Sequence, residues 1–213
     1  MHKSIFFAGV ILMLASLGAA TVPAHALCSS DLRHIHSSGI DAKAPDGWRQ
    51  VCAAFPTECN GPILDERRVV LTANKLRDLI EINARVNKAI EPMGDLDQFG
   101  EEERWTFPIS GKGDCEDYVL EKRRLLIRRG WPRQALLITV VTDQKGAGHA
   151  VLTATTDRGD YILDNQAEDV LLWSRTGLTF YKRQSPLDPN VWVGLGRLVG
   201  RPDTATASAG AIR

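Results

Sequence analysis

The sequence has no excess of charge of either sign. It contains 26 basic and 26 acidic residues, and so near-neutral a chain has no electrostatic surplus for binding nucleic acid. The chain is long enough for one domain with a sizeable core. After the hydrophobic block at its start it has no second long block that would need a domain of its own. No Cys-x-x-Cys pair occurs, which argues against a zinc site.

The first 26 residues have the order of a secretory signal. Lys3 precedes an apolar stretch from Ile5 to Ala20, and Ala24-His25-Ala26 has the small-x-small pattern of a signal-peptidase site. A membrane-spanning helix needs about 20 apolar residues, and this stretch is shorter. We therefore predict that residues 1–26 are removed on export to the periplasm, which leaves 25 basic and 26 acidic residues.

Export places the four cysteines in an oxidising compartment. Cys52 and Cys59 flank a short, turn-prone segment, and we predict that they form a disulfide. If Cys115 is a free catalytic thiol, Cys28 has no partner and is either free or paired differently. Lipidation of Cys28 is disfavoured, because Leu27 stands before it where a lipid-attachment site requires a small residue.

Hydrophobic periodicity predicts a long amphipathic helix in the first half of the chain. The helical spacing holds for Val69, Ala73, Leu76 and Ile80, and the stripe is widened by Leu79, Ile82, Val86 and Ile90. Asp65 is a suitable cap for its start, and Pro92 prevents its continuation. Residues 28–62 are predicted to be an irregular arm, and residues 92–113 a loop.

A second helix is predicted from Cys115 to Arg129. Asp114 is a good N-cap residue, acidic residues follow it in the first turn, and Gly130 ends the helix. The helix dipole then favours a thiolate at Cys115.

Five short apolar runs rich in β-branched residues follow this helix. They are Leu136 to Val141, His149 to Thr155, Tyr161 to Asp164, Val170 to Trp173 and Leu178 to Lys182. Their spacing is too tight for helical crossovers, so the predicted sheet is antiparallel and the predicted class is α+β. One domain is expected over residues 27–200, followed by a disordered tail, 201–213.

The chain therefore offers a cysteine, a histidine and an aspartate in that order. Cys115 begins a predicted helix, His149 lies on a predicted strand, and Asp164 ends another. These are the components of a thiol nucleophile, its base and the group that orients the base.

Acidic residues on both sides of Cys115 oppose the formation of a thiolate. Asp114, Glu116 and Asp117 all carry negative charge beside a sulfur that must itself become negative. They could cap the helix by accepting backbone N–H bonds, or they could bind Ca²⁺ through their oxygens. The residues alone leave both roles open.

The nucleophile region reads Gly113-Asp114-Cys115-Glu116-Asp117-Tyr118 and is followed by Lys122. Two later strings are Gly148-His149-Ala150-Val151-Leu152 and Leu163-Asp164-Asn165. With these strings the sequence resembles the bacterial transglutaminase-like cysteine peptidases. This group includes the LapG-type periplasmic proteases, and the resemblance covers roughly residues 48–193. It implies a papain-like or transglutaminase-like fold and a catalytic triad of Cys115, His149 and Asp164. It also implies a calcium site at Asp114, Glu116 and Asp117.

The resemblance extends to partners. The LapG-type branch cleaves a large surface adhesin beside paired alanines, which releases cells from a biofilm, and an inner-membrane cyclic di-GMP receptor sequesters the protease. That branch usually has methionine after the catalytic histidine, whereas this chain has Ala150, as in stand-alone members with unknown substrates. A monomer that acts on a protein substrate is expected.

Two other functions are compatible with the same residues. A thioester at Cys115 could pass its acyl group to an amine, as in a transglutaminase, or the domain could be a non-catalytic binding module. For the oxyanion of the reaction, the backbone N–H of Cys115 is one expected donor. The indole N–H of Trp105 is a second candidate donor.

Overall fold

The computed structural model describes residues 33–60 and 68–195. The helices are α1 (Asp46–Ala54), α2 (Pro56–Cys59), α3 (Ala73–Ala89), α4 (Asp95–Phe99) and α5 (Cys115–Arg128). The strands are β1 (Ser37–Ala42), β2 (Glu91–Pro92), β3 (Lys112–Gly113), β4 (Leu136–Thr142), β5 (Gly148–Thr156), β6 (Gly159–Leu163), β7 (Leu171–Leu172), β8 (Thr179–Gln184) and β9 (Trp192–Leu195). The predicted signal peptide, Cys28, Asp65 and the predicted tail lie outside the described residues.

Seven of the strands form one sheet in the order β1-β9-β8-β4-β5-β6-β7. All neighbours in this sheet are antiparallel, which confirms the predicted antiparallel sheet and the α+β class. The remaining two strands, β2 and β3, make a short parallel pair.

The main core lies between the sheet and the helices α3 and α5. On β5, Ala150, Leu152 and Ala154 point into this core, because alternate residues of a strand face the same side. Val151 belongs to a smaller apolar cluster on the opposite face of the sheet. Helix α5 contacts both β5 and α3, so it is held between the sheet and the second long helix.

The long predicted helix is present but starts later than its periodicity indicates. Helix α3 begins at Ala73, where the Thr72 side chain accepts a hydrogen bond from the Lys75 amide at 3.2 Å. Val69 lies outside the helix, because its backbone bonds to Thr155 of the sheet at 3.1 Å. Ile80 is 48% exposed. The buried side of α3 is formed by the residues predicted to widen the stripe, including Leu79, Ile82 and Val86.

Two predicted irregular segments contain regular structure. Within residues 28–62, β1 pairs with β9 and two helices follow it. Within residues 92–113, helix α4 forms. The partner of β1 lies far away in the sequence, and no local pattern identifies such pairing.

The predicted disulfide between Cys52 and Cys59 is confirmed. It joins α1 to α2, and the side-chain amide of Asn190 donates to the Cys59 carbonyl at 3.4 Å. Among the described residues, no helix combines the length and the apolar character that crossing a membrane requires.

Candidate active site

Cys115 is the first residue of α5, as predicted, and Asp114 occupies the N-cap position. The Asp114 side chain makes no capping hydrogen bond; its backbone carbonyl accepts from the amides of Asp117 and Tyr118 instead. The thiol of Cys115 donates a hydrogen bond to Oε2 of Glu116 at 3.1 Å. The capping explanation for the acidic residues therefore does not hold for the Asp114 side chain.

The environment of Cys115 opposes ionisation. Burial raises the pKa of its thiol well above the usual value, and the negative charges of Glu116 and Asp114 raise it further. The amide of Ala150 acts in the opposite direction and favours the thiolate. The expected benefit of the helix dipole is thus outweighed by desolvation and by the neighbouring carboxylates.

His149 and Asp164 lie together where β5 begins and β6 ends. Nε2 of the His149 ring is 2.8 Å from Oδ1 of Asp164, and both side chains are buried. The amide of Gln166 also donates to Asp164 Oδ1 at 2.9 Å, and the side-chain amide of Asn87 donates to the Asp164 carbonyl at 2.9 Å. These bonds fix the aspartate from both its side chain and its backbone.

The pKa of Asp164 is set by opposing effects. Burial raises it, but the hydrogen bond and charge of His149, the Gln166 amide and the charge of Lys122 prevail, so that the pKa lies below its usual value. Asp164 is therefore ionised at neutral pH.

The Cys115 thiol lies close to the backbone beside His149, but it is not hydrogen-bonded to the His149 ring. The Ala150 amide that influences the Cys115 sulfur belongs to the residue directly after His149. Among the hydrogen bonds between described residues, none joins the Cys115 thiol to the His149 ring. The structure thus brings the three sequence-predicted residues to one region and pairs two of them directly.

A cluster of carboxylates lies beside the thiol. One oxygen each of Asp95, Asp114 and Glu116 lies within 4.8 Å of the others. Within the described part of the chain, Oδ1 of Asp95 and Oδ1 of Asp114 are buried without a hydrogen-bond partner. Burial raises the pKa of Asp95 to about 6, and burial together with the charge of Asp114 raises that of Glu116 well above its usual value.

Asp117 bonds to a loop that the sequence does not connect with it. Its Oδ1 accepts a hydrogen bond from the Thr106 amide at 2.9 Å, so it anchors the preceding loop and is not one of the three clustered residues. A Cβ atom on Gly113 would lie 2.5 Å from Oδ2 of Asp117, which explains why glycine precedes Asp114. Burial raises the pKa of Asp117 to about 8.

Asp95 is the member of the cluster that sequence reasoning missed. It begins α4, and its side chain accepts a hydrogen bond from the Arg104 amide. The parallel pairing of Pro92 with Gly113 aligns the chain just before Asp95 with the chain just before Asp114. Two-residue strands leave no recognisable pattern, so the sequence carried no signal for this proximity.

Trp105 is not placed as an oxyanion donor. Its indole N–H donates to Oε1 of Glu103 at 2.6 Å, and the ring is buried. A Cβ on Gly47 would lie 2.1 Å from the indole ring, so α1 packs directly on it. Trp105 therefore anchors the loop against the core.

A sheet with a buried His–Asp pair at the ends of two neighbouring strands, and a cysteine at the start of the helix packed on it, is the architecture of a transglutaminase-like cysteine peptidase. The sequence pattern of the bacterial transglutaminase-like cysteine proteinases matches residues 38–198. The chain belongs to this family, and it is a cysteine peptidase.

Solved structures of Legionella pneumophila LapG are similar to this chain. The calcium-bound form is 23% identical, with a TM-score of 0.48, over 57% of this chain and 71% of the LapG chain. The EGTA-treated form is 22% identical, with a TM-score of 0.47, over the same shares of the two chains. No curated protein sequence matches the chain.

Proposed function

We propose that this peptidase hydrolyses a protein substrate through Cys115 as nucleophile, His149 as base and Asp164 as the group that orients the base. The observation that supports this most directly is the 2.8 Å contact between His149 Nε2 and Asp164 Oδ1. Since Nε2 is engaged by an ionised carboxylate, Nδ1 is the nitrogen left to accept a proton.

The proposed reaction has two stages. Nδ1 of His149 takes the Cys115 proton, and the thiolate attacks a peptide carbonyl to form a tetrahedral intermediate. His149 then protonates the leaving amine as the C–N bond breaks, and water hydrolyses the thioester with His149 again as base. The backbone N–H of Cys115 would stabilise the oxyanion, since the first amides of a helix have no partner within it.

We further propose that Asp95, Asp114 and Glu116 hold Ca²⁺. They fit the ion, because they supply hard oxygen donors within 4.8 Å of one another and two of those residues have a buried, unpartnered oxygen. Bound Ca²⁺ would supply positive charge that offsets the carboxylates beside the nucleophile. Asp117 would support the site from behind by holding Thr106.

The proposed location is the periplasm, based on the signal-like residues 1–26. Fractionation of the native host with amino-terminal sequencing is the test, and a mature protein that begins at Leu27 is expected. A protein recovered from the cytoplasm with its first residues intact would contradict the proposed export.

The proposed substrate is an exported protein, and the first to test is the amino-terminal region of a large surface adhesin. The chain without residues 1–26 should be incubated with this region in calcium or in EGTA, alongside Cys115→Ala. Cleavage by the wild type in calcium, lost in the variant and in EGTA, is the expected result. Incorporation of an added amine without cleavage would instead establish acyl transfer. The next partner to test is an inner-membrane cyclic di-GMP receptor.

A further inference from the structure

The segment that leads from Asp164 towards β7 is bonded to two asparagine side chains of α3. Nδ2 of Asn87 donates to the Asp164 carbonyl at 2.9 Å and to the Ala167 carbonyl at 3.1 Å. Nδ2 of Asn83 donates to the carbonyls of Ala167 and Glu168, both at 3.1 Å. A side-chain amide has two N–H bonds, so each asparagine uses both of its hydrogens on this segment. We call Asn83 and Asn87 the asparagine clamp.

The clamp occupies a position where asparagine is otherwise unfavourable. Asn83 is fully buried and Asn87 is partly buried, and both lie inside α3, where asparagine is a weak helix former. They are four positions apart and therefore share one face of the helix. The carbonyls that they bind lie between β6 and β7, outside the strand pairing. The clamp thus supplies donors that the sheet does not provide.

The carboxylate of Asp164 is held at its other end by two donors. Its Oδ1 accepts from the Gln166 amide at 2.9 Å, and Nε2 of His149 lies 2.8 Å from the same oxygen. The backbone of Asp164 is therefore bonded to Asn87 and its carboxylate to His149. Displacement of the Asp164 carbonyl would move the oxygen that orients the histidine ring.

The end of α3 is also bonded to the nucleophile helix. The hydroxyl of Tyr118 donates to the Ile90 carbonyl at 2.6 Å, and this contact is buried. Ile90 is the C-cap of α3, three residues after Asn87, and Tyr118 lies three residues after Cys115 on α5. One helix end thus holds both the segment of the aspartate and the helix of the nucleophile.

We propose that Asn87, supported by Asn83, is a positioning residue that sets the place of the His149–Asp164 pair relative to Cys115. This inference rests on the proposed triad. Asn87 acts through the Asp164 backbone, and a misplacement of about 1 Å at a reacting group can cost about 100-fold in rate. A clamp that served only the fold would change stability and leave the His149–Asp164 contact as it is.

The test compares Asn87→Leu with Asn74→Leu and Asp164→Asn in the proposed mature chain with calcium present. Leucine branches at the same atom as asparagine but has no donor, and Asn74 is an exposed asparagine on α3 that serves as the matched control. The first readout is solvent exchange of the His149 ring Nε2–H, followed by NMR. Exchange of the backbone amide of Leu152, which is buried in β5, measures global unfolding in the same sample.

We expect the His149 ring proton of Asn87→Leu to exchange about tenfold faster than in the wild type after correction for global unfolding, because the carboxylate that holds it is no longer fixed. On the cleaved adhesin region, kcat should fall about tenfold while KM stays within about twofold, since substrate binding is not altered. Asn74→Leu should match the wild type in both measurements.

Failure of this inference and failure of the proposed triad give different results. If the ring proton and the Leu152 amide accelerate by the same factor in Asn87→Leu, the clamp serves stability alone and the inference is wrong. If Asp164→Asn keeps the kcat of the wild type, the triad itself is wrong. The ring-proton measurement needs no substrate, so it decides the inference even where the adhesin region is not cleaved.

A second variant keeps the inference testable if Asn87→Leu does not fold. Asn87→Ala removes the same two donors without adding apolar bulk, and alanine is the strongest helix former. It should show the same faster ring-proton exchange and the same loss of kcat. Wild-type values of both in folded Asn87→Ala would overturn the inference.

Discussion

The ring of His149 and the carboxylate of Asp164 meet at 2.8 Å, although the two residues lie on different segments of the sheet. The contact arises because β5 and β6 are antiparallel neighbours, with Leu152 opposite Leu163. His149 lies three residues before Leu152, and Asp164 one residue after Leu163. The antiparallel register therefore brings both residues to the same end of these two strands.

Asp164→Asn should reduce kcat for peptide hydrolysis by about 100-fold or more, because an amide can present its N–H to Nε2 and stabilise the wrong tautomer. Steady-state kinetics on the cleaved substrate is the measurement. Asp169→Asn is the matched control, since Asp169 is exposed on the segment just after the site. Equal kcat in the two variants would remove Asp164 from the proposed triad.

Asp95→Asn should weaken calcium binding about tenfold or more, because it removes one of three clustered negative charges. Isothermal titration calorimetry measures this directly, and the rise in Tm with added calcium provides a second readout. Asp97→Asn, an exposed neighbour on α4, should bind like the wild type. A wild-type chain that shows neither heat nor a Tm shift with calcium would contradict the proposed site.

Removal of the disulfide should lower the free energy of unfolding by about 2 kcal/mol, because a short loop of the unfolded chain loses its constraint. Urea unfolding of Cys52→Ala/Cys59→Ala measures the change, in a Cys115→Ala background that prevents thiol exchange. Addition of a reductant should destabilise the parent to a similar extent and leave the double variant unaffected. A parent that is insensitive to reductant would show that the bridge contributes nothing to stability.

Glu58→Gln should destabilise the protein by about 3 kcal/mol, because Glu58 neutralises a guanidinium group inside the core. Arg123 is 1% exposed, and its Nη1 lies 2.7 Å from Glu58 Oε2. The matched control is Glu81→Gln, which breaks the exposed contact with Arg129 and should cost less than about 1 kcal/mol. Similar losses in the two variants, measured by urea unfolding, would contradict a special role for the buried pair.

The Glu58–Arg123 pair also ties the disulfide-bonded segment to the nucleophile helix. Glu58 lies on α2 and Arg123 on α5, and Arg133 donates to the Glu58 carbonyl at 2.7 Å. Any movement of α2 is therefore opposed by contacts to the helix that begins at Cys115.

Sequence reasoning succeeded where the signal was local. The start of α5 at Cys115 agrees with the structure, because Asp114, the acidic first turn and Gly130 all lie within one short segment. The Cys52–Cys59 bridge spans only seven positions. The β5 and β6 strands have β-branched, apolar runs that indicate extended structure without reference to their partners.

Prediction from the sequence was less successful where a distant contact competes with a local pattern. Val69 continues the helical spacing of α3, yet its backbone is bonded to the sheet. Asp117 has the position of a first-turn carboxylate, yet it bonds the loop at Thr106. At Val69 a bond to the sheet replaces the helical interaction that the local pattern predicts, and at Asp117 the bond to Thr106 is a contact that no local pattern indicates.

Neighbouring residues alone were enough to predict the order of cysteine, histidine and aspartate and their positions on a helix start and two strands. The direct pairing of His149 with Asp164, the entry of Asp95 into the carboxylate cluster and the complete burial of Lys122 could not be predicted in this way. Each depends on the packing of segments that are far apart in the chain. Desolvation and charge shift the pKa values of Asp95, Asp164 and Lys122, and both arise only when the folded core excludes water.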